Sequence, residues 1–213
     1  MITERLFRQF VPKIGTANAS AWASALNMAL PFASIKTRRE VNHWLAQLAH
    51  ESAGFSDFEE DLSYSAQRLT AVWPRRFPTP DAAAPFARNP KALANKVYND
   101  RMGNRLGSDD GWYFRGRGPK QLTGRDNYTA FQKWIDKNSL KHDVMRNPDL
   151  LTTPIVGALS AAWFWSANGL SAIVASRPIE RDACEAVTKK INGGLIGLEG
   201  RLDWLDKIRR LDP

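Results

Sequence analysis

The sequence predicts a mainly α fold, and three of its features do so. Apolar residues recur at helical spacing in several segments, caps and breakers fall at the ends of those segments, and no stretch clearly alternates as a half-buried strand would. The 213 residues suffice for one packed domain, 1–213, with a smaller lobe inside it. At 43% hydrophobic and 24% charged residues the chain has the composition of a globular protein and not of a disordered one. No apolar run reaches the roughly 18 residues of a membrane span, so none is expected.

In chain order, a short helix is expected at 18–30. The clearest helix covers 37–52, where Val41, Trp44, Leu45 and Leu48 fall at i, i+3, i+4 and i+7 and form one apolar stripe. Gly54 offers the left-handed conformation that ends such a helix. Pro74, Pro78, Pro80, Pro85 and Pro90 break any long element, so residues 66–100 are expected to supply the Pro-rich part of the smaller lobe, looped or short-helical. Short helices are expected at 91–101 and 126–136, separated by a Gly-rich stretch at 103–118, with room for a short hairpin near Trp112–Leu122. Thr153-Pro154 reads as an N-cap followed by proline at the first helical position, opening a helix that runs to Asn168-Gly169. This helix is apolar on most sides and is expected to be the central buried one. Another starts after Pro178 and carries Ala183, Ala186, Val187 and Ile191; a last amphipathic helix holds Leu198, Leu202, Leu205 and Ile208.

Thirty Lys and Arg against 22 Asp and Glu give a net charge of +8, which attracts polyanions at long range. The basic residues come in scattered pairs (Arg38-Arg39, Arg75-Arg76, Lys189-Lys190, Arg209-Arg210) with no nucleic-acid-binding motif, so nucleic acid is not the expected partner. Two readings remain: a solvated basic surface, or steering of an anionic substrate. The single cysteine, Cys184, closes no intramolecular disulfide, and the opening MITERLFRQF lacks the apolar region of a signal peptide. Synthesis in the cytoplasm is the resulting expectation.

Candidate chemistry begins at His50-Glu51-Ser52-Ala53-Gly54-Phe55-Ser56-Asp57-Phe58-Glu59-Glu60. On an unbroken helix Glu51 and Glu60 would be turned through about 900° and lie about 13 Å apart along the axis, facing opposite sides. If the chain reverses at Gly54, Glu60 returns across a cleft, where a separation of about 6.5–9.5 Å suits an inverting glycosidase. Partial burial beside Trp44 and the negative end of the helix dipole favour a protonated Glu51, as a general acid requires. Glu60, with Glu59 and Asp61 in an acidic, solvated loop, suits a general base. Spacing alone favours the plainer reading, solvated loop carboxylates. HESAG lacks the second histidine of HExxH, and with only His43, His50 and His142 in the chain no metal site is expected.

Tyr113-Phe114-Arg115-Gly116-Arg117-Gly118-Pro119-Lys120-Gln121-Leu122-Thr123-Gly124-Arg125-Asp126-Asn127-Tyr128, taken with HESAGF and Ile191-Asn192-Gly193-Gly194, resembles glycoside hydrolase family 19, the plant-type chitinases. The likeness is nearest to the bacteriophage endolysins and bacterial lysozyme-like members. Those proteins share a His-Glu-[Ser/Thr]-x-Gly helix end, a Gly-Arg-Gly-Pro-x-Gln-[Leu/Ile]-[Ser/Thr] segment and a late Asn-Gly-Gly, and all three stand here in that order over residues 40–205. The resemblance implies a lysozyme-like helical fold in which a large and a small lobe flank a cleft. It implies Glu51 as general acid and Glu60 as general base, the second glutamate following closely as in the endolysins. Thr123 matches the hydroxyl that helps hold the attacking water, with Asn127 near it, and Gln121 and Asn192 match sugar contacts. Arg201 corresponds to an arginine that orients the acid, although the segment from Gly194 to Arg201 is shorter than in the plant proteins. Lys120 departs from the pattern, since an apolar residue is usual there; it is either a solvent-facing change or a local charge contact.

Elementary chemistry agrees with this. Glycines let backbone approach a sugar, Gln and Asn amides pair with hydroxyl and acetamido groups, and Trp112, Tyr113 and Tyr128 offer stacking faces. Core packing is the alternative for these aromatics and the expectation for Trp163 and Trp165. The expected enzyme is a monomeric peptidoglycan-degrading endolysin of the muramidase or lysozyme type, cleaving β-1,4 bonds of glycan strands by inversion, without metal or cofactor. Released from a host bacterial cytoplasm, it would act on the wall in the periplasm. Chitinase activity on N-acetylglucosamine polymers is the first alternative, and an inactive wall-binding protein or a nucleic-acid-binding protein the others.

Overall fold

The computed structural model describes residues 1–211. Among them stand twelve α-helices. The first six are α1 (Glu4–Phe10), α2 (Thr16–Ala29), α3 (Arg38–Glu51), α4 (Ala66–Val72), α5 (Pro80–Ala83) and α6 (Pro90–Tyr98). The others are α7 (Asp110–Tyr113), α8 (Arg125–Lys137), α9 (Pro154–Ala167), α10 (Leu170–Ala175), α11 (Glu180–Asn192) and α12 (Leu198–Leu211). The described residues hold two isolated antiparallel bridges, Glu59 with Arg117 and Arg117 with Leu122. The hairpin expected near Trp112–Leu122 is thus reduced to a single turn. Arg117 and Leu122 exchange backbone hydrogen bonds around Gly118–Gln121, and the residues before them coil into α7. No helix among the described residues is long and apolar enough to cross a membrane.

The chain divides into two compact units. Unit 1 comprises Met1–Phe58, Gly118–Gln121 and the chain from Asp149 onward; unit 2 comprises Glu59–Arg117 and Leu122–Pro148.

In unit 1, α3 packs along α12 and α2 along α9. Thr37 caps α3 by accepting the Glu40 amide, and every residue from Glu40 to Ala49 is buried. The enclosure goes beyond the stripe at Val41, Trp44, Leu45 and Leu48, and two of the polar side chains between them, His43 and Gln47, have partners. His43 Nε2 lies 2.7 Å from Glu180, and Gln47 Oε1 accepts Arg201 at 2.6 Å. The central position expected for α9 is therefore shared: α9 buries Val156 to Ala162 and Trp165, while α3 is closed on all sides along ten residues. Trp163 and Phe164 are only half-buried.

Unit 2 has its own core of Leu62, Leu69, Phe77, Ala83, Leu93, Ala94 and Val97. The prolines that forbid a long helix start short ones, with Pro80 behind the Thr79 cap and Pro90 behind the Asn89 cap. α7 lies on α6 at Gly111, where a Cβ would come 2.6 Å from the Ala94 carbonyl oxygen. α8 buries Tyr128, Phe131 and Ile135, one face at helical spacing. Asp110 ties the Gly-rich stretch to the start of α8, bonded to Arg125 Nε at 2.7 Å and to Arg105 Nε at 3.1 Å. These guanidinium groups hold its carboxyl far below the usual carboxylate range.

Candidate active site

Local sequence builds the end of α3. Ser52 Oγ donates to the Leu48 carbonyl at 2.7 Å and accepts the Phe55 amide at 3.0 Å, while the Gly54 amide donates to the Ala49 carbonyl at 2.6 Å. Ala53, Gly54 and Phe55 all take positive φ (48°, 74° and 56°), so the helix stops directly after Glu51. At Gly54 a Cβ would lie 3.1 Å from the Trp204 ring. Phe55 then sets its edge against Phe7 and Trp22, and Phe58 stacks on Trp22 at 4.7 Å, so the connection is pinned to the core of unit 1.

Glu51 is mostly enclosed, with 15% of its side chain exposed. Arg201 Nη2 donates to Oε1 at 2.5 Å, and Lys120 Nζ lies 4.0 Å from Oε2. Arg201 is itself buried on α12, its other terminal nitrogen donating to Gln47, one helical turn before Glu51. Two cations thus face the Glu51 side chain, one on each carboxyl oxygen. His50 lies over the start of α12. A Cβ on Gly197 would come 2.4 Å from His50 Nε2, and one on Gly200 2.9 Å from Nδ1. Burial and then Arg201 push the imidazole below its usual range, so it is neutral at pH 7 and adds no charge to this cluster.

Lys120 arrives on Gly118–Gln121, the short return of the chain into unit 1. The Gly118 amide donates to the Phe58 carbonyl at 2.8 Å, and with φ at +77° a Cβ there would stand 2.8 Å from the Leu151 carbonyl oxygen, so only glycine fits. The Lys120 side chain is 13% exposed, its ammonium 4.4 Å from the Phe164 ring centre. Of the two readings left open for Lys120, the local charge contact holds.

In unit 2, the Glu60 amide donates to the Gly116 carbonyl at 3.0 Å, the Gly116 amide donates to Glu60 Oε2 at 3.4 Å, and the Tyr98 hydroxyl of α6 donates to Oε1. The loop is solvated at Glu59 and Asp61, as expected, but not at Glu60. Glu60 is half-buried, its carboxylate fixed by donors, because α6 brings a tyrosine to it that lies 38 residues away in sequence. Burial, with Glu60 beside it, pushes the Tyr98 hydroxyl far above its ordinary range and keeps it a donor. Glu59 is engaged differently, by Arg115 Nε at 2.8 Å.

The remaining predicted residues divide between the units. Thr123 is half-buried, and its carbonyl accepts the Asn127 side-chain amide at 2.7 Å, which commits that amide to the start of α8. Gln121, in the left-handed region at φ 55°, donates to the Gly118 carbonyl from its side chain. Asn192 ends α11 and donates to the Ile196 carbonyl at 3.1 Å. Tyr128 is a correction: its ring is wholly buried against Phe114 and its hydroxyl donates to the Arg115 carbonyl, so it packs and offers no face to a sugar. Trp112 is half-buried: the Arg115 guanidinium lies 3.7 Å from its ring centre, and the ring packs against the core of unit 2. Sequence reasoning missed Tyr98, Arg115 and Gln47. Of these only Gln47 carried a signal, its position four residues before Glu51 on the same helix face.

No family model matches the chain. A glycosyl hydrolase family 19 domain-containing protein of Haemophilus influenzae is 35% identical over 202 residues, covering 94% of this chain and 92% of that protein. The chain belongs to glycoside hydrolase family 19. An endochitinase of Arabidopsis thaliana is 25% identical over 202 residues, of which this family 19 chain spans 56% of the length. Among solved structures, chitinase C from Streptomyces griseus aligns with a TM-score of 0.58 at 18% identity, over 99% of this chain and 91% of that one. At that identity the likeness speaks for the fold, the lysozyme-like helical fold of family 19. As a member of that family the chain is a glycoside hydrolase.

Proposed function

We propose that this family 19 hydrolase is an endolysin-type muramidase that cleaves β-1,4 bonds in peptidoglycan strands with inversion. Glu51 protonates the glycosidic oxygen. Glu60, with the Thr123 hydroxyl, takes a proton from the water that attacks the anomeric carbon from the opposite face. Arg201 orients the acid, while Gln121, Asn127, Asn192 and Trp112 contact sugar. The observation that carries this reading is the asymmetric hold on Glu51: Arg201 occupies Oε1, and Oε2 accepts no hydrogen bond among the described residues. One oxygen is anchored and the other is available to carry and deliver a proton. The net charge of +8 favours an anionic wall polymer over neutral chitin. Released into the periplasm, the enzyme works there as a monomer.

The plant and Streptomyces relatives named as chitinases favour a second reading, hydrolysis of N-acetylglucosamine polymers. Mass spectrometry of digested peptidoglycan, run beside chitin oligomers, decides between them. New reducing ends at muramic acid support the muramidase. Ends at glucosamine alone, or turnover of chitin alone, overturn it. NMR of fresh product tests the stereochemistry: the α-anomer is expected, and a β-anomer removes water delivery from Glu60 and Thr123.

A further inference from the structure

The cluster around Glu51 does not balance in charge. One carboxylate faces two cations, Arg201 and Lys120, and His50 contributes none. Arg201 already supplies the close ion pair, at 2.5 Å. Lys120, at 4.0 Å, is beyond hydrogen-bond distance, and its other neighbour is the face of Phe164. Its three N–H donors therefore meet no acceptor among the described residues, although the side chain is 13% exposed. Burial lowers the pKa of this ammonium, a cost that an anion at Nζ would relieve. A neutral glycan offers such a group only uncharged acceptors, hydroxyls and acetamido carbonyls, and no opposite charge. In a strand of alternating N-acetylglucosamine and N-acetylmuramic acid, by contrast, the muramic residue whose C1–O bond is cut itself carries a lactyl substituent, at O3.

We propose that Lys120 is a specificity-determining residue that receives a carboxylate borne by the sugar at the scissile bond, so that the enzyme distinguishes an acidic glycan from a neutral one. This rests on the reading of Glu51 as the acid and of peptidoglycan as the substrate. The carboxylate comes from the lactyl group once the stem peptide is gone, or from the stem peptide itself.

The test compares one glycan backbone in three forms: freed of stem peptides, with its lactyl carboxylates exposed; the same strands with those carboxylates capped as methylamides; and strands with peptides intact. Wild type is expected to show a kcat/KM about tenfold or more higher on the carboxylate form than on the capped form, the scale of one charge-assisted hydrogen bond. Lys120→Gln should bring that ratio close to one, and Lys120→Met, read the same way, serves if the Gln variant does not fold. Lys120→Arg should keep most of the preference. Lys133→Gln, which removes an exposed charge on α8, should keep all of it. Preference on the peptide-bearing strands alone supports the proposal with the peptide as the source. An unchanged ratio in Lys120→Gln, or a proportional loss on all three forms, overturns it and leaves Lys120 serving Glu51 alone. If wild type cleaves none of the strands, the substrate reading has failed. Lys120 is then judged by binding of the free and capped strands to the Glu51→Gln protein, with and without Lys120→Gln: a preference that Lys120→Gln removes supports the proposal, and no preference overturns it.

Discussion

Glu51 carries both chemistry and structure, and the two separate experimentally. Glu51→Gln removes the proton donor and should abolish glycan cleavage. It also leaves buried Arg201 and Lys120 without their carboxylate, so a loss of about 1–3 kcal/mol in unfolding free energy is expected by urea titration. Near-wild-type turnover in this variant would sink the assignment. Glu60→Gln should cost several orders of magnitude in kcat, and Thr123→Ala less, because other groups can still hold a water. Glu59→Gln should cost little kcat, since Glu59 is exposed and its contact is with Arg115. Should Glu59→Gln be dead and Glu60→Gln active, the base is the neighbour. Tyr98→Phe deletes one donor to Glu60 and should lower kcat about tenfold with KM nearly unchanged. The helix end at Glu51 was legible because its caps and breaker fall on contiguous residues, whereas the contact of Arg201 with Glu51, across 150 residues, was suggested only by the family resemblance. Tyr98 and Arg115 were not legible, because they meet Glu60 and Glu59 across 38 and 56 residues and nothing in spacing or composition marks such a pairing.

The long helices were read to within a few residues, α3 from its periodic apolar stripe behind the Thr37 cap and α9 from its apolar run behind Thr153-Pro154. α1, α7 and α10 were missed because four to seven residues are too few to display a period, and α4 and α5 were anticipated only as part of a looped or short-helical Pro-rich stretch. Gly54 is the most sensitive position at the end of α3. Gly54→Ala forces a side chain onto φ 74° and against Trp204, and should destabilise the fold by about 1–3 kcal/mol. A second element-scale effect lies where α3 meets α11. His43 is wholly buried against Glu180, which Arg39 also grips through Nε at 3.1 Å, with Arg209 at 3.7 Å. Burial holds the imidazole below its ordinary value of 6.5, so below that pH the unfolded chain takes up a proton that the folded one refuses. Stability is therefore full above about pH 6.5 and declines as the pH falls toward the folded value. Glu180, raised by burial but lowered more by Arg39 and His43, adds a further loss below its ordinary 4.5. Unfolding free energies measured from pH 7.5 to 5 should show the first decline in wild type and a flatter line in His43→Gln. Equal slopes would remove His43 as the cause.

At the scale of the whole chain, the +8 charge was legible as a sum, while its use was not. Binding to intact wall should weaken steeply as ionic strength shrinks the Debye length below about 8–10 Å, whereas cleavage of a short soluble fragment should respond far less. Equal salt sensitivity for both would confine the charge to solubility. The Pro-rich residues 66–100, expected in a smaller lobe, do fall in unit 2, but the make-up of unit 1 was not legible, because it is assembled from segments that composition does not link: the first 58 residues, four residues near 120 and the chain from Asp149 onward. That patchwork sets an order in time. The chain leaves the ribosome at roughly 5–20 residues per second. The apolar faces of α2 and α3 therefore emerge early, then wait on the order of ten seconds for α9 and α12, against which they pack. Residues 59–148 contain nearly all that unit 2 requires and can close around Phe77 and Leu93 in the meantime. The middle of the protein should thus mature before its beginning. Pulsed hydrogen exchange during refolding should find the amides of α6 and α8 protected ahead of those of α2 and α3. A nascent chain stalled near residue 150 would present a finished centre beneath a leading end still in need of a chaperone.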